Sequence, residues 1–242
     1  MSPRPRAFVV SAEHASARVP AQLRGLFASR TARAALASHR GSDPGTTELA
    51  RDLARALHAP VFVAGASRLV CDLNRSLHHP RLFSEWTRDL DAAAKERVLA
   101  RYWHPHRSAV EDAVRRGIDE VGRVVHLAVH SFTPVLDGEA RTMDVAWLYD
   151  PRRRSEREFT ERWRDELHAL RPDLVLARNR PYRGTADGFT THLRRHLSDR
   201  IYSGIELEVS QRLTLGPAAE WRRLRRDLEA TLVAAFATSR PT

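Results

Sequence analysis

Residues 124–141, VVHLAVHSFTPVLDGEAR, carry an apolar run onto a histidine. Val124, Val125, Leu127, Ala128 and Val129 lead to His130, and small hydroxyl residues, a proline and a turn follow at once. A buried strand that stops on a histidine holds an imidazole at the C-terminal edge of a sheet, where open α/β folds keep their chemistry. Other polar clusters occupy comparable positions. His14, beside Glu13, follows the apolar run AFVVSA; His39 precedes Ser42-Asp43-Pro44-Gly45; Arg68, Asp72, Asn74 and Arg75 surround a short apolar stretch; Glu206 and Glu208 alternate with Ile205, Leu207 and Val209.

Each cluster also has a purely structural reading. A lone histidine commonly satisfies a loop carbonyl, and Asp43 before a helix-opening proline makes a good N-cap. Two glutamates on one face of a strand are costly unless paired, bound or half-exposed. Cys71, inside an apolar stretch, reads as packing. Taken together, the clusters supply imidazoles (His14, His130), carboxylates (Asp43, Glu208) and guanidiniums (Arg68, Arg75). Two imidazoles and a carboxylate with one position open form the donor set of a catalytic zinc site. A carboxylate off the metal can act as general base to water, and arginine offers a planar fork to a substrate carboxylate.

Residues 7–12 form a continuous apolar run and predict a buried strand, and Pro44 opens a helix over 44–58 with Leu49, Leu53 and Leu57 on one face. Further strands are predicted at 59–65, 68–73, 124–130, 174–178 and 202–210. Asp137-Gly138 predicts a hairpin leading into TMDVAWLYD. Helical spacing covers about 90–118 with an interruption at Pro105, then 155–170, 188–197, and a last helix from Pro217 carrying Trp221, Leu224, Leu228, Leu232 and Phe236. Buried strands alternating with amphipathic helices predict a three-layer α/β/α domain with a mostly parallel mixed sheet.

With 242 residues, 42% of them apolar, the chain can build one sizeable core, so a single domain over 1–242 is expected. Apolar runs fall short of the ~20 residues that span a bilayer, and the N-terminus lacks a leader-like apolar region. A cytoplasmic protein away from membranes is therefore expected. One cysteine leaves neither an intrachain disulfide nor a cysteine zinc cluster. The net charge of +10 comes from scattered arginines, with Lys95 the only lysine. Without a basic stripe or interleaved aromatics this argues against nucleic acid and for a small anionic substrate. There is no distinctive exposed apolar helix to set an oligomeric state.

The segments EHASARVP, SDPGT, SRLVCDLNR, VHSFTP, DVAWLYD, NRPYRG and IELEVSQ follow one another between residues 7 and 215. In that order they resemble the N-formylglutamate amidohydrolase family, which is distantly similar to the zinc carboxypeptidases. The resemblance implies a zinc-exopeptidase-like fold and hydrolysis of N-formylglutamate, or another N-acyl amino acid, to formate (or the acid) and the amino acid, as in amino-acid metabolism. It implies zinc, or another divalent metal, on His14 and His130, the Asn74-Arg75 pair on the substrate carboxylate, and Glu208 as catalytic base. Carboxypeptidases place a ligand glutamate three residues after the first histidine, where this chain has Ala17. The third ligand is then assigned to Asp43, with His39 and Glu13 as alternatives. Arg68 would assist at the oxyanion, Arg180 and Arg183 would read a second carboxylate, and Tyr182 would touch the substrate. His104 and His106, flanking Pro105, read as structural. The chain has no HExxH, GxSxG or Cys-His pairing. Two other classes stay open: a non-catalytic relative that binds a small anion, and an arginine-driven nucleic-acid-associated protein, which would show steep salt dependence.

Overall fold

The computed structural model describes residues 6–237. The expectation for the N-terminus and the outer bounds of a 1–242 domain lie outside the described residues. Strand β1 (Ala7–Ala12) is followed by a 3-10 segment at Ala21–Phe27 and helix α1 (Arg30–Leu36), which apolar spacing does not announce. Helix α2 (Thr46–Ala56), strand β2 (Val61–Val63) and helix α3 (Ala92–Val98) come next. A π turn at Leu99–Trp103 joins α3 to α4 (His104–Val121). Strand β3 (Val124–Phe132), the small pair β4 (Val135–Leu136) and β5 (Glu139–Ala140), and strand β6 (Val145–Leu148) lead to α5 (Arg154–Leu170). Strand β7 (Leu176–Arg178), helix α6 (Phe189–His196), strand β8 (Tyr202–Ser210), helix α7 (Gln211–Thr214) and helix α8 (Ala218–Ala237) complete the order.

Six strands form one sheet in the order β2-β1-β3-β8-β6-β7, with β6 against β8 as the antiparallel contact and the other pairs parallel. The sheet separates its two faces by side-chain alternation. One face carries Val10, Leu127, Val129, Ile205, Leu207 and Trp147 into a core shared with Leu53 of α2, Trp163 of α5 and Leu228 of α8. Truncating a fully buried residue there, such as Leu228 to Ala, is expected to cost about 2–5 kcal/mol. The opposite face is polar along the strands. His126 and His130 on β3 share it with Tyr202, Glu206 and Glu208 on β8, as the register Val124↔Tyr202 to His130↔Glu208 requires. Val110 and Val114 of α4 and Phe189 and Leu193 of α6 pack over the Tyr202 end of that face. The molecule is thus a mixed α/β fold with a mostly parallel sheet between helices.

Several local expectations are corrected. Residues 68–73 are turn and irregular backbone rather than a strand, although Leu69, Val70, Cys71 and Leu73 are buried in a second apolar cluster. A turn there bends the chain so that Arg68, Asp72, Asn74 and Arg75 can face one cavity. Asp137 and Gly138 both have positive φ, and their hairpin pairs only β4 with β5. The TMDVAWLYD strand instead enters the main sheet beside β8. Helicity continues through Pro105, the second residue of α4, directly after the π turn. The interruption is the π turn just before it.

Candidate active site

His14 lies just beyond the end of β1, and His130 near the end of β3. Their rings meet edge to face with centroids 4.8 Å apart. The loop carrying Asp43 docks on the first of them, the Asp43 N–H donating to the His14 carbonyl at 2.8 Å. Asp43 does not cap α2. The cap position belongs to Gly45, at φ +81°, and no side chain caps the helix. A side chain there would collide with Thr214 and Trp221, so the left-handed turn and the packing both call for glycine. Freed from capping, Asp43 Oδ2 lies 3.0 Å from His130 Nδ1 and 3.4 Å from His14 Nδ1.

Each imidazole is held from behind by another carboxylate. His14 Nε2 is 2.6 Å from Asp72 Oδ1, which also accepts the Asn74 N–H at 3.0 Å. His130 Nε2 is 3.2 Å from Glu13 Oε2, within ion-pair range but off the line of a hydrogen bond. Burial opposes charge on Asp43, Asp72, Glu13 and His130, and neighbouring opposite charges override it. His14, His130 and Arg68 hold the Asp43 carboxyl below its usual range, and His14 and Arg68 do the same for Asp72. His106 and His130 keep Glu13 ionised, while Asp43 and Glu13 push His130 well above an ordinary imidazole.

The donor set fits a divalent metal. One ligand atom from each of His14, Asp43 and His130 lies within 4.8 Å of the others, and all three residues are buried. His14 Nδ1 is buried with no hydrogen-bond partner among the described residues. Two imidazole nitrogens and a carboxylate oxygen are donors that zinc takes. The Asp72 and Glu13 carboxylates stand behind the two rings as carboxylates do behind metal-bound histidines, fixing which nitrogen faces forward.

Glu208 is the β8 partner of His130, on the same sheet face. Its Oε2 is buried without a hydrogen bond among the described residues. Burial, with Asp43 and Glu206 adding to it, pushes the carboxyl up to about 8. Glu206, two residues earlier, accepts from Thr190 Oγ1 at 2.6 Å. The site opens into a cavity of about 670 Å³ whose wall includes Arg68, Asn74, Arg75, Tyr182 and Arg183. Arg68 donates to Asp72 Oδ2 at 3.0 Å and lies 3.6 Å from Asp43 Oδ1. Asn74 accepts the Phe189 N–H at 2.7 Å through Oδ1, and Arg75 Nη1 donates to the Asp187 carbonyl. Tyr182 accepts from Arg141 Nη1 at 3.0 Å at the exposed rim.

Not every residue singled out from sequence comes to the cavity. Arg180 is exposed and is not part of its wall. His39 lines the cavity, while Glu13, the other alternative third ligand, sits behind His130 rather than in front of it. His104 is exposed, and His106 points inward, Nε2 3.6 Å from Glu13 Oε1. Sequence reading gave Asp72 no task. Its one signal was position, two residues before Asn74-Arg75 in a cluster already rich in charge.

A family model described as N-formylglutamate amidohydrolase matches residues 6–215. Among solved structures, a gene product of Agrobacterium tumefaciens is similar at 26% identity and a TM-score of 0.77, over 96% of this chain and 91% of its own. An N-formylglutamate amidohydrolase from Ralstonia eutropha JMP134 shares the fold at 20% identity and a TM-score of 0.69, over 97% of this chain and 95% of its own. Curated protein sequences give no match.

Proposed function

Because the chain belongs to the N-formylglutamate amidohydrolase family, we propose that it is a metal-dependent amidohydrolase that cleaves the N-formyl or N-acyl amide of a small anionic amino acid. N-formylglutamate, giving formate and glutamate, is the substrate best supported. The observation that carries this reading is the convergence of His14, Asp43 and His130 beside Glu208, at the floor of an arginine-lined cavity. The chain would act as one catalytic domain, and a cytoplasmic place in amino-acid metabolism goes with that activity.

Held by His14, Asp43 and His130, zinc or another divalent cation would supply Lewis-acid polarisation of the scissile carbonyl and a water of lowered pKa. Asp72 and Glu13 hold the imidazoles in the orientation this needs. Glu208 accepts the proton of the attacking water on its carboxylate and returns it to the amine nitrogen as the C–N bond breaks. Arg68, with a side chain 26% exposed at the cavity wall, faces the charge that develops on the carbonyl oxygen. Asn74 and Arg75 take the α-carboxylate, the first through its amide nitrogen, since its oxygen is occupied by Phe189. Arg183 and Tyr182 line the same cavity and would meet the side-chain carboxylate.

The test is elemental analysis of protein purified without added metal, run beside the His130→Ala variant, together with an assay for released formate. Bound zinc in the wild type, lost with activity in the variant, is expected. Equal, negligible metal in both with formate still released would remove the metal from the reaction. Substrate binding without any release would instead mark an anion-binding relative.

A further inference from the structure

The helical stretch behind the site changes winding at Leu99–Trp103, the π turn between α3 and α4. Such turns are rare and frequently accompany functional sites. Trp103, its last residue, and Arg107, one turn further on in α4, reach the segment that carries Asn74 and Arg75. Trp103 Nε1 donates to the Arg75 carbonyl at 3.0 Å, and Arg107 Nη1 donates to the Leu73 carbonyl at 3.3 Å. The Arg107 guanidinium is 4.5 Å from the Trp103 ring centre and 4.0 Å from that of Phe189. Phe189 in turn donates its backbone N–H to Asn74 Oδ1 at 2.7 Å. Neither Trp103 nor Arg107 lines the cavity.

Arg107 is expensive where it sits. It is 2% exposed, and its Nε and Nη2 have no hydrogen-bond partner among the described residues. An aliphatic side chain would fill the space between two aromatic rings without that desolvation cost. What an aliphatic residue would not supply is a donor to the Leu73 carbonyl and a planar cation between the rings.

We propose that Trp103 and Arg107 are positioning residues for substrate carboxylate recognition, holding the backbone of 73–75 and the start of α6 so that Asn74 and Arg75 present one fixed grip. This rests on the assignment of Asn74 and Arg75 to the substrate carboxylate made above. The two residues act through others and do not touch substrate.

Three variants test it. Trp103→Phe keeps the ring and deletes the N–H; Arg107→Lys keeps the charge and loses the flat stacking surface; Arg107→Met loses both. Kinetics are measured with N-formylglutamate and with the same molecule carrying its α-carboxylate as a neutral amide. Trp103→Phe is expected to raise KM for the carboxylate about 3–10-fold, the size of one lost hydrogen bond, at unchanged kcat. Arg107→Met should raise it further and Arg107→Lys less. Zinc content and KM for the neutral amide should hold. An equal rise for both substrates, or a fall in melting temperature with kinetics intact, would reduce the two residues to packing. Should the wild type not hydrolyse either compound, the functional reading has failed by itself. Amide hydrogen exchange at Asn74, Arg75 and Phe189 then decides the positioning role without substrate. Faster exchange confined to those amides in the variants supports it, and unchanged exchange overturns it.

Discussion

His130 and Glu208 are register partners on adjacent parallel strands, both on the polar face of the sheet. On its other side Glu208 pairs with Ala146 of β6, too small to cover it. Two strands at the centre of a six-stranded sheet therefore fix an imidazole beside a carboxylate whose Oε2 has no hydrogen bond among the described residues. A site on strands holds geometry better than one on loops.

Glu208→Gln should lower kcat by about 10²–10⁴-fold, the usual contribution of a positioned acid–base group. KM and zinc content should change little, as the amide is nearly isosteric. Steady-state kinetics beside metal analysis checks this, and a mutant retaining wild-type kcat would move the base elsewhere.

The same carboxyl sets an acid limb in the pH profile. Burial raises it from an ordinary 4.5 to about 8, so it is protonated below that value, and a base must be ionised. Accordingly kcat/KM falls as pH drops through the Glu208 pKa. A bound cation nearby favours the ionised form, which puts the limb of the zinc-loaded enzyme between those two values. The Glu208→Gln residual rate should lack that limb.

Asp72→Asn and Glu13→Gln remove the carboxylates behind the two histidines without touching the proposed ligands. Each should weaken metal binding by about 10–100-fold, as such partners commonly do. Competition with a chelator of known affinity measures it. Unaltered affinity in both would show that these carboxylates only balance charge.

Zinc uptake should release protons. Asp43 and Glu13 overcome burial to hold His130 protonated well above the usual imidazole range, and coordination needs the neutral ring. Apparent affinity should therefore rise with pH through neutrality. Calorimetry in buffers of different ionisation enthalpy reads the protons directly, and a binding heat independent of buffer would contradict the prediction.

Arg75→Lys should raise KM for N-formylglutamate by about 10–100-fold, the cost of a weakened charged hydrogen bond pair. The folded state should survive, since Arg75 is partly exposed and its main fixed contact is the Asp187 carbonyl. An unchanged KM would shift the grip to another arginine, with Arg183 the first to examine.

Periodicity in the chain was enough to predict β1, β3, β8, α2, α5 and α8, because burying a strand or helix face requires apolar residues at every second or every third-to-fourth place. The ordered short segments from EHAS to EVSQ were enough to indicate the family. What each polar residue touches was decided elsewhere. Asp43 has a sequence fit for a helix cap, yet it turns to His130, 87 residues away, while Gly45 takes the cap position. Asp72 and Glu13 acquired their places behind the histidines only when distant loops closed, and Arg180 was left outside while Arg183 came in. The physical reason is range. Backbone pattern is set by near neighbours, whereas a carboxylate's partner depends on which charges the completed fold brings within a few ångströms.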